Sequence, residues 1–313
     1  MPESKVVAGL VGLCVGDSLG LPVDHKGREE LRRHPVTDMT GYGAYFQPPG
    51  TWSEDSSLAF CAAESLCRGF DAADMACRFC RWYYEGYWSP RGVVFHVSRA
   101  TRSGIERIHG GADPLRAGGD AEADNGNGSL TRILPLAYCL RDAPREERFT
   151  VAERISALTH NHVRSKIACC IYIEFAINLL KGLPPPLAYL RMREEILSYY
   201  GKPPHREELA HFRRILHEDI SLFHESAIRS DSYVVHTLEA GLWSFFHCPS
   251  YVETVLTAVN LGEDTETTAA VAGGLAGIYH GLDAIPSVWT EALARKDDIL
   301  DLGLRLGRCP ILS

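Results

Sequence analysis

Residues 260–281 read NLGEDTETTAAVAGGLAGIYHG. Glu263, Asp264 and Glu266 place three carboxylates within four positions, and a tract of alanine and glycine follows at once. Ala269, Gly273 and Gly277 recur every four residues, the spacing of one helix face. Small residues on that face let another helix backbone come close, so this helix is expected at the centre of a bundle. Residues 8–20, AGLVGLCVGDSLG, repeat the pattern at Ala8, Gly12, Gly16 and Gly20. A dinucleotide-binding reading of those glycines fails, because the G-x-G-x-x-G order and a preceding strand are both missing.

Helical periodicity runs outward from these two segments. In residues 56–70, Leu58, Cys61, Ala62, Ser65 and Leu66 follow the i, i+3, i+4 rhythm of a buried stripe. Residues 151–182, 206–220 and 232–246 read the same way, and alternating strand patterns are hard to find. The expected class is all-α. Glycine, proline and aspartate break the pattern in 25–52, 108–128 and 181–190, but none of these is a flexible linker and no internal repeat appears. One domain over 1–313 is expected.

With 313 residues, 45% hydrophobic and 23% charged, the chain has the composition of a soluble globular protein. A net charge of -8 gives no footprint for nucleic acid or an anionic membrane. The most apolar stretch, 167–180, is interrupted by Glu174 and falls short of the roughly 20 residues that a span requires. The N-terminus lacks the basic-then-apolar order of a secretory signal, so a cytoplasmic protein is expected. Ten dispersed cysteines then read as reduced core residues. Cys77 and Cys80 form a CxxC, but no second pair follows at zinc spacing, so packing is expected of both. No heptad seam or exposed apolar stripe stands out, and a monomer is expected.

A second acidic cluster lies in residues 50–60, GTWSEDSSLAF, where Glu54 and Asp55 follow Ser53 and precede an apolar helix. A serine cap with acids in the first turn accounts for this cluster if it stands alone. It accounts less well for Asp264 and Glu266, whose helix is expected to be central. Two carboxylates about 5 Å apart at an effective dielectric near 20 repel by roughly 3 kcal/mol. Neither stretch contains lysine or arginine to offset that. Oxygen ligands with Ser53 and Thr267 as neighbours suit a hard divalent cation, Mg²⁺ or Mn²⁺, while the order of an EF-hand is absent. Residues 125–132, NGNGSLTR, set two asparagines and two glycines before a helix, which is either a turn with a serine cap or an anion site. His160 and His162 lie near a helix start, where packing or capping is the ordinary role for each.

Residues 9–24, 50–60, 125–138, 158–169 and 260–281, taken in order, resemble the ADP-ribosylglycohydrolase family. The resemblance covers most of the chain. It implies a compact all-α domain with a central dinuclear metal cleft that hydrolyses the bond between ADP-ribose and an acceptor. Two divalent cations are implied, Mg²⁺ first, with Mn²⁺ or Ca²⁺ as alternatives. By motif, Ser53, Glu54 and Asp55 would form one ligand group and Asp264, Glu266 and Thr267 the other. Asp24, Asp55 and Asp264 would carry the catalysis. Asn125, Gly126, Asn127, Gly128 and Ser129 would contact ADP-ribose, with His160 lining the same cleft. The implied partners are ADP-ribose and an ADP-ribosylated acceptor, which is arginine, serine, a nucleic-acid end or a small molecule.

The chain departs from the family pattern at four positions. Glu54 and Glu266 stand where aspartate is usual, Asp24 where glutamate is usual, and Thr131 where methionine is common. Each exchange of aspartate and glutamate moves a carboxylate by about 1.5 Å, while metal–ligand distances tolerate about ±0.2 Å. The site must be rebuilt around the changes or be weakened by them. An active hydrolase is the first expectation. An ADP-ribose-binding protein on the same fold is the alternative, and a dimetal phosphohydrolase is a third.

Overall fold

The computed structural model describes residues 3–309. The chain is 69% helical, and the described residues form no β-sheet, only three isolated bridges. Eight helices frame the site, numbered in chain order: α1 (Glu3–Gly20), α2 (Glu54–Leu66), α3 (Gly128–Arg132), α4 (Val163–Leu180), α5 (Val234–His247), α6 (Tyr251–Asn260), α7 (Thr265–His280) and α8 (Lys296–Arg308). Buried side chains from Val6 to Leu306 make one continuous hydrophobic core.

The centre is an antiparallel pair, α1 against α7. Gly20 lies against Glu266, Gly16 against Ala269, Gly12 against Gly273 and Ala8 against Gly277. The four-residue repeats of the two segments are therefore the two sides of one seam. A Cβ added to Gly16 would overlap the Ala269 carbonyl, so the backbones themselves are in contact. Every residue from Val6 to Gly20 and from Thr265 to Ile278 is buried, as an all-round apolar helix requires. The Tyr251 hydroxyl donates to the Gly12 carbonyl at 2.8 Å, and Thr265 Oγ1 donates to the Gly20 carbonyl at 2.8 Å. The C-terminal end of α1 and the N-terminal end of α7 thus meet at one point.

Residues Glu3–Val23 are long and apolar enough to cross a membrane by length and composition, yet 94% of the apolar 18-residue stretch within them is buried in the fold. Its apolarity is that of a core helix, and so is that of 167–180, which lies in α4. There the buried Glu174 accepts two 2.9 Å bonds from the Arg148 guanidinium, a buried charge met by its partner. All ten cysteines are free, and Cys14, Cys61, Cys139, Cys169 and Cys170 are buried. Of the CxxC pair, Cys80 packs towards the Ile105 carbonyl while Cys77 is exposed, so the packing role expected for both holds for Cys80 alone.

Candidate metal centre

At the start of α2, Ser53 is the N-cap, and its Oγ accepts the Asp55 N–H at 3.1 Å. Donors from Ser53 and Ser56 at that helix start go to Asp17 on α1, a residue the motif reading did not single out. Its carboxylate accepts the Ser53 N–H at 2.9 and 3.1 Å, the Ser56 N–H at 3.1 Å and the Ser56 hydroxyl at 2.6 Å. A lone carboxylate among the glycines of a helix expected at the centre of the bundle is the signal that could have flagged the residue, though not its partners. Burial pushes the Asp17 carboxyl up to about 6, against the downward pull of these donors. With the helix end satisfied from behind, the Glu54 and Asp55 side chains are free for other work. Asp55 Oδ1 accepts the Thr131 hydroxyl at 2.9 Å, which gives a use to the unusual threonine. Glu54 Oε1 accepts the Ser98 N–H at 3.1 Å, so the extra methylene of Glu54 meets a neighbour placed to receive it.

The α1–α7 seam sets the other half. After Gly20 the turn Leu21–Val23, started by Pro22, delivers Asp24, and α7 begins beside it. One carboxylate oxygen from each of Asp24, Asp264 and Glu266 lies within 4.8 Å of the others. Asp264 Oδ2 accepts from Asn127 Nδ2 at 2.9 Å, and the same nitrogen donates to Thr237 Oγ1 on α5 at 2.7 Å. Asn127 therefore ties the NGNG segment to the α7 acid.

Five carboxylates from three segments meet here, and no lysine or arginine among the described residues pairs with any of them. Each keeps one buried oxygen without a partner: Asp24 Oδ1, Glu54 Oε2, Asp55 Oδ2, Asp264 Oδ1 and Glu266 Oε2. Burial raises the Asp55 and Glu266 carboxyls well above their ordinary range; Asp17, Glu54 and Asp264 then add to the first, and Asp264 and Asp24 to the second. Burial also raises Glu54 and Asp264; His96 and the Ser98 hydrogen bond offset part of the cost at Glu54, and hydrogen bonds from Thr267 and Asn127 offset part of it at Asp264. Buried carboxylates left in this state are costly unless paired or bound to a cation. The donor set is all oxygen, with the Ser53 and Thr267 hydroxyls alongside, and it fits a hard divalent cation.

The predicted ADP-ribose cradle is placed differently from the expectation in two respects. Ser129 is buried with its hydroxyl turned into the core, accepting from Ser156 Oγ at 3.1 Å and Cys169 Sγ at 3.5 Å, so only its backbone is left for a ligand. His160 is 1% exposed and lies beneath the segment rather than on an open wall, its Nδ1 2.7 Å from Thr159 Oγ1. A Cβ on Gly126 would stand 3.3 Å from His160 Nε2, and one on Gly128 3.3 Å from His160 Cε1. Both glycines thus pack closely on the imidazole, and the Cβ on Gly128 would also stand 3.2 Å from Thr101 Oγ1, so a side chain at either would crowd these neighbours. Asn125 is held by Ser165 Oγ at 3.1 Å and donates to the Glu122 carbonyl at 3.0 Å. His162 caps α4, its Nδ1 accepting the Arg164 N–H at 3.1 Å.

Burial, and then the Arg132 charge, lower His160 from 6.5 to about 3. The folded state therefore binds fewer protons than the unfolded chain between those values, and stability is lost as pH falls below about 6.5. The stability of wild type relative to a His160→Gln reference is expected to fall on going from pH 7.5 to pH 5. A difference between the two proteins that stays constant with pH would show that His160 titrates normally.

Comparison with known proteins places this arrangement. The family model described as ADP-ribosylglycohydrolase matches residues 1–310. The chain belongs to the ADP-ribosylglycohydrolase family. Among its relatives, the ADP-ribosylarginine hydrolase Tri1 of Serratia proteamaculans is 30% identical, over 98% of this chain and 81% of its own. The ADP-ribosyl-[dinitrogen reductase] glycohydrolase of Rhodospirillum rubrum is 29% identical, over 94% and 92%. A solved structure described as an ADP-ribosylglycohydrolase-related protein complex superposes with a TM-score of 0.81 at 33% identity, covering 98% of each chain. The enzyme class expected from the motifs, an ADP-ribosylhydrolase, is the class that these relatives carry in their names.

Proposed function

We propose that this ADP-ribosylglycohydrolase is a divalent-metal-dependent hydrolase that cleaves the bond at ribose C1 between ADP-ribose and an arginine acceptor. The observation that carries the reading is the set of five buried carboxylates, each with one unpartnered oxygen and none with a basic partner from lysine or arginine. Ser53, Glu54, Asp55, Asp264, Glu266 and Thr267 would hold two cations, Mg²⁺ first, with Mn²⁺ or Ca²⁺ as ions that the same oxygens accept. When bound, the cations supply Lewis acidity, lowering the pKa of a water and offsetting charge at the ribose. Asn127, its nitrogen committed to Thr237 and Asp264, leaves Oδ1 to accept from a ribose hydroxyl. The backbone from Asn125 to Ser129 carries the diphosphate side of the ligand. Asp24 Oδ1, buried and unpartnered, accepts the proton of the attacking water as the C1–N bond breaks with oxocarbenium character. The bond's electron pair leaves with the arginine nitrogen, and the departing guanidine takes up the proton that Asp24 has received. Arginine as acceptor is supported by the name of the Tri1 relative. A cytoplasmic monomer is the setting we propose.

The test is release of ADP-ribose from ADP-ribosyl-arginine with millimolar Mg²⁺ and with a chelator. Release is expected to fall by about 100-fold or more in chelator, the scale of several kcal/mol of transition-state stabilisation. Equal release in both would remove the metal. Bound but uncleaved ADP-ribose would favour the binding-protein alternative, and liberated phosphate would favour a phosphohydrolase.

A further inference from the structure

Asp24 has two contacts that the proposed chemistry does not use. Tyr45 Oη donates to Asp24 Oδ2 at 2.5 Å, and His25 Nε2 lies 3.1 Å from the same oxygen. The His25 side chain is 79% exposed while that of Asp24 is 1% exposed. Solvent screens the histidine contact, so the tyrosine bond is the stronger of the two. Both contacts fall on Oδ2. Oδ1 is left as the oxygen without a partner, and Asp24 is the acid that meets Asp264 and Glu266.

The loop that carries Tyr45 is built to hold it there. Gly43 packs so tightly on the turn before Asp24 that a Cβ would overlap the Pro22 carbonyl. The Tyr42 N–H donates to the Gln47 carbonyl at 2.5 Å, which closes the loop on itself. The Tyr45 ring lies 5.8 Å from Phe95 and 5.0 Å from His96, between centroids. Left-handed backbone at non-glycine residues is uncommon and unfavourable. Of six such positions among the described residues, His25 and Glu263 lie in the turn that carries Asp24 and its contact to the start of α7, and Tyr42 and Phe46 flank the short turn that carries Tyr45. The His25 N–H donates to the Glu263 carbonyl at 2.8 Å and the Glu263 N–H to the Lys26 carbonyl at 2.7 Å, joining the Asp24 turn to the start of α7. Strain gathered at one spot persists only where other contacts impose it.

We propose that Tyr45 is a positioning residue, whose hydroxyl latches Asp24 Oδ2 so that Oδ1 faces Asp264 and Glu266. The latch rests on the hydrolase reading for its effect on turnover, but not for its effect on the loop. Tyr45→Phe removes one oxygen and keeps the ring packed on Phe95 and His96. It is expected to lower kcat on ADP-ribosyl-arginine by about 10- to 100-fold, the scale of a misplaced reacting group, with KM changed by less than about 2-fold. In an Asp24→Ala background the same change is expected to cost less than about 2-fold, because a residue that acts through Asp24 has nothing left to position. Without substrate or metal, amide exchange over residues 24–27 and 41–47 is expected to quicken in Tyr45→Phe while the core helices stay protected. Tyr45→His, which keeps a donor, is expected to recover part of both effects. An unchanged kcat, an undiminished penalty beside Asp24→Ala, or unchanged exchange over these segments would each overturn the proposal. Wild-type protein that releases no ADP-ribose would overturn the hydrolase reading, and the exchange comparison would still decide the latch.

Discussion

Asp264→Asn is expected to abolish metal-dependent ADP-ribose release and, in chelator, to melt at a higher temperature than wild type. The first effect is about 10²- to 10⁴-fold, several kcal/mol of lost charge stabilisation. The second runs against the usual result of a polar change in a buried site. Asparagine keeps the shape of Asp264 and its contact to Asn127, but removes one of five carboxylates held in mutual repulsion. At about 5 Å and an effective dielectric near 20, one such pair contributes roughly 3 kcal/mol. Asp55→Asn is expected to behave alike, since Thr131 can still donate to its Oδ1. The pH dependence has a definite sign. Burial and neighbouring carboxylates raise Asp55 and Glu266, so the metal-free folded state binds more protons than the unfolded chain. Stability in chelator is therefore gained as pH falls through the raised range, and Asp264→Asn flattens that dependence. Thermal melts in chelator at pH 8 and pH 6 read both effects. An Asp264→Asn protein that melts lower than wild type in chelator, yet still responds fully to Mg²⁺, would take Asp264 out of the site.

The second large effect is expected at Asp17. Asp17→Ala leaves the N–H groups of Ser53 and Ser56 and the Ser56 hydroxyl without their acceptor. A buried charged acceptor removed from its donors costs about 3–5 kcal/mol. The loss falls on the first turn of α2, which carries Ser53, Glu54 and Asp55. Metal-dependent stabilisation is expected to weaken along with folding stability, although Asp17 is placed behind the ligands. Denaturant titration with and without Mg²⁺ separates the two, and an Asp17→Ala protein as stable as wild type would show that the turn finds other partners.

The parts of this architecture written as periodicity were legible in advance. The repeats Ala8, Gly12, Gly16, Gly20 and Ala269, Gly273, Gly277 imply close helix contact, and the structure joins them as one seam. Asp264 and Glu266 could be read as a cluster because they are neighbours in the chain. Asp24 entered beside them through the family motif, and the structure brings the three together. What could not be read depends on which way a side chain turns. Ser129 has the composition of a cap and faces the core; Gly128 has the composition of a ligand-facing glycine and packs closely on His160. Asp17 and Tyr45 are single residues whose partners lie 36 and 21 positions away, and no local pattern marks such a pairing.

The α1–α7 seam also sets when the protein can become whole during synthesis. Thr265 grips the end of α1 across 245 positions of sequence, so α1 leaves the ribosome long before the helix that covers it exists. Contacts of such separation form late, after the cost of closing the intervening chain has been met. Until then the nascent protein displays a glycine-faced apolar helix able to associate with itself or with a lipid surface. A chaperone that shields residues 3–20 until residues 265–280 emerge would therefore raise the yield of native protein more than one that acts after both helices are made.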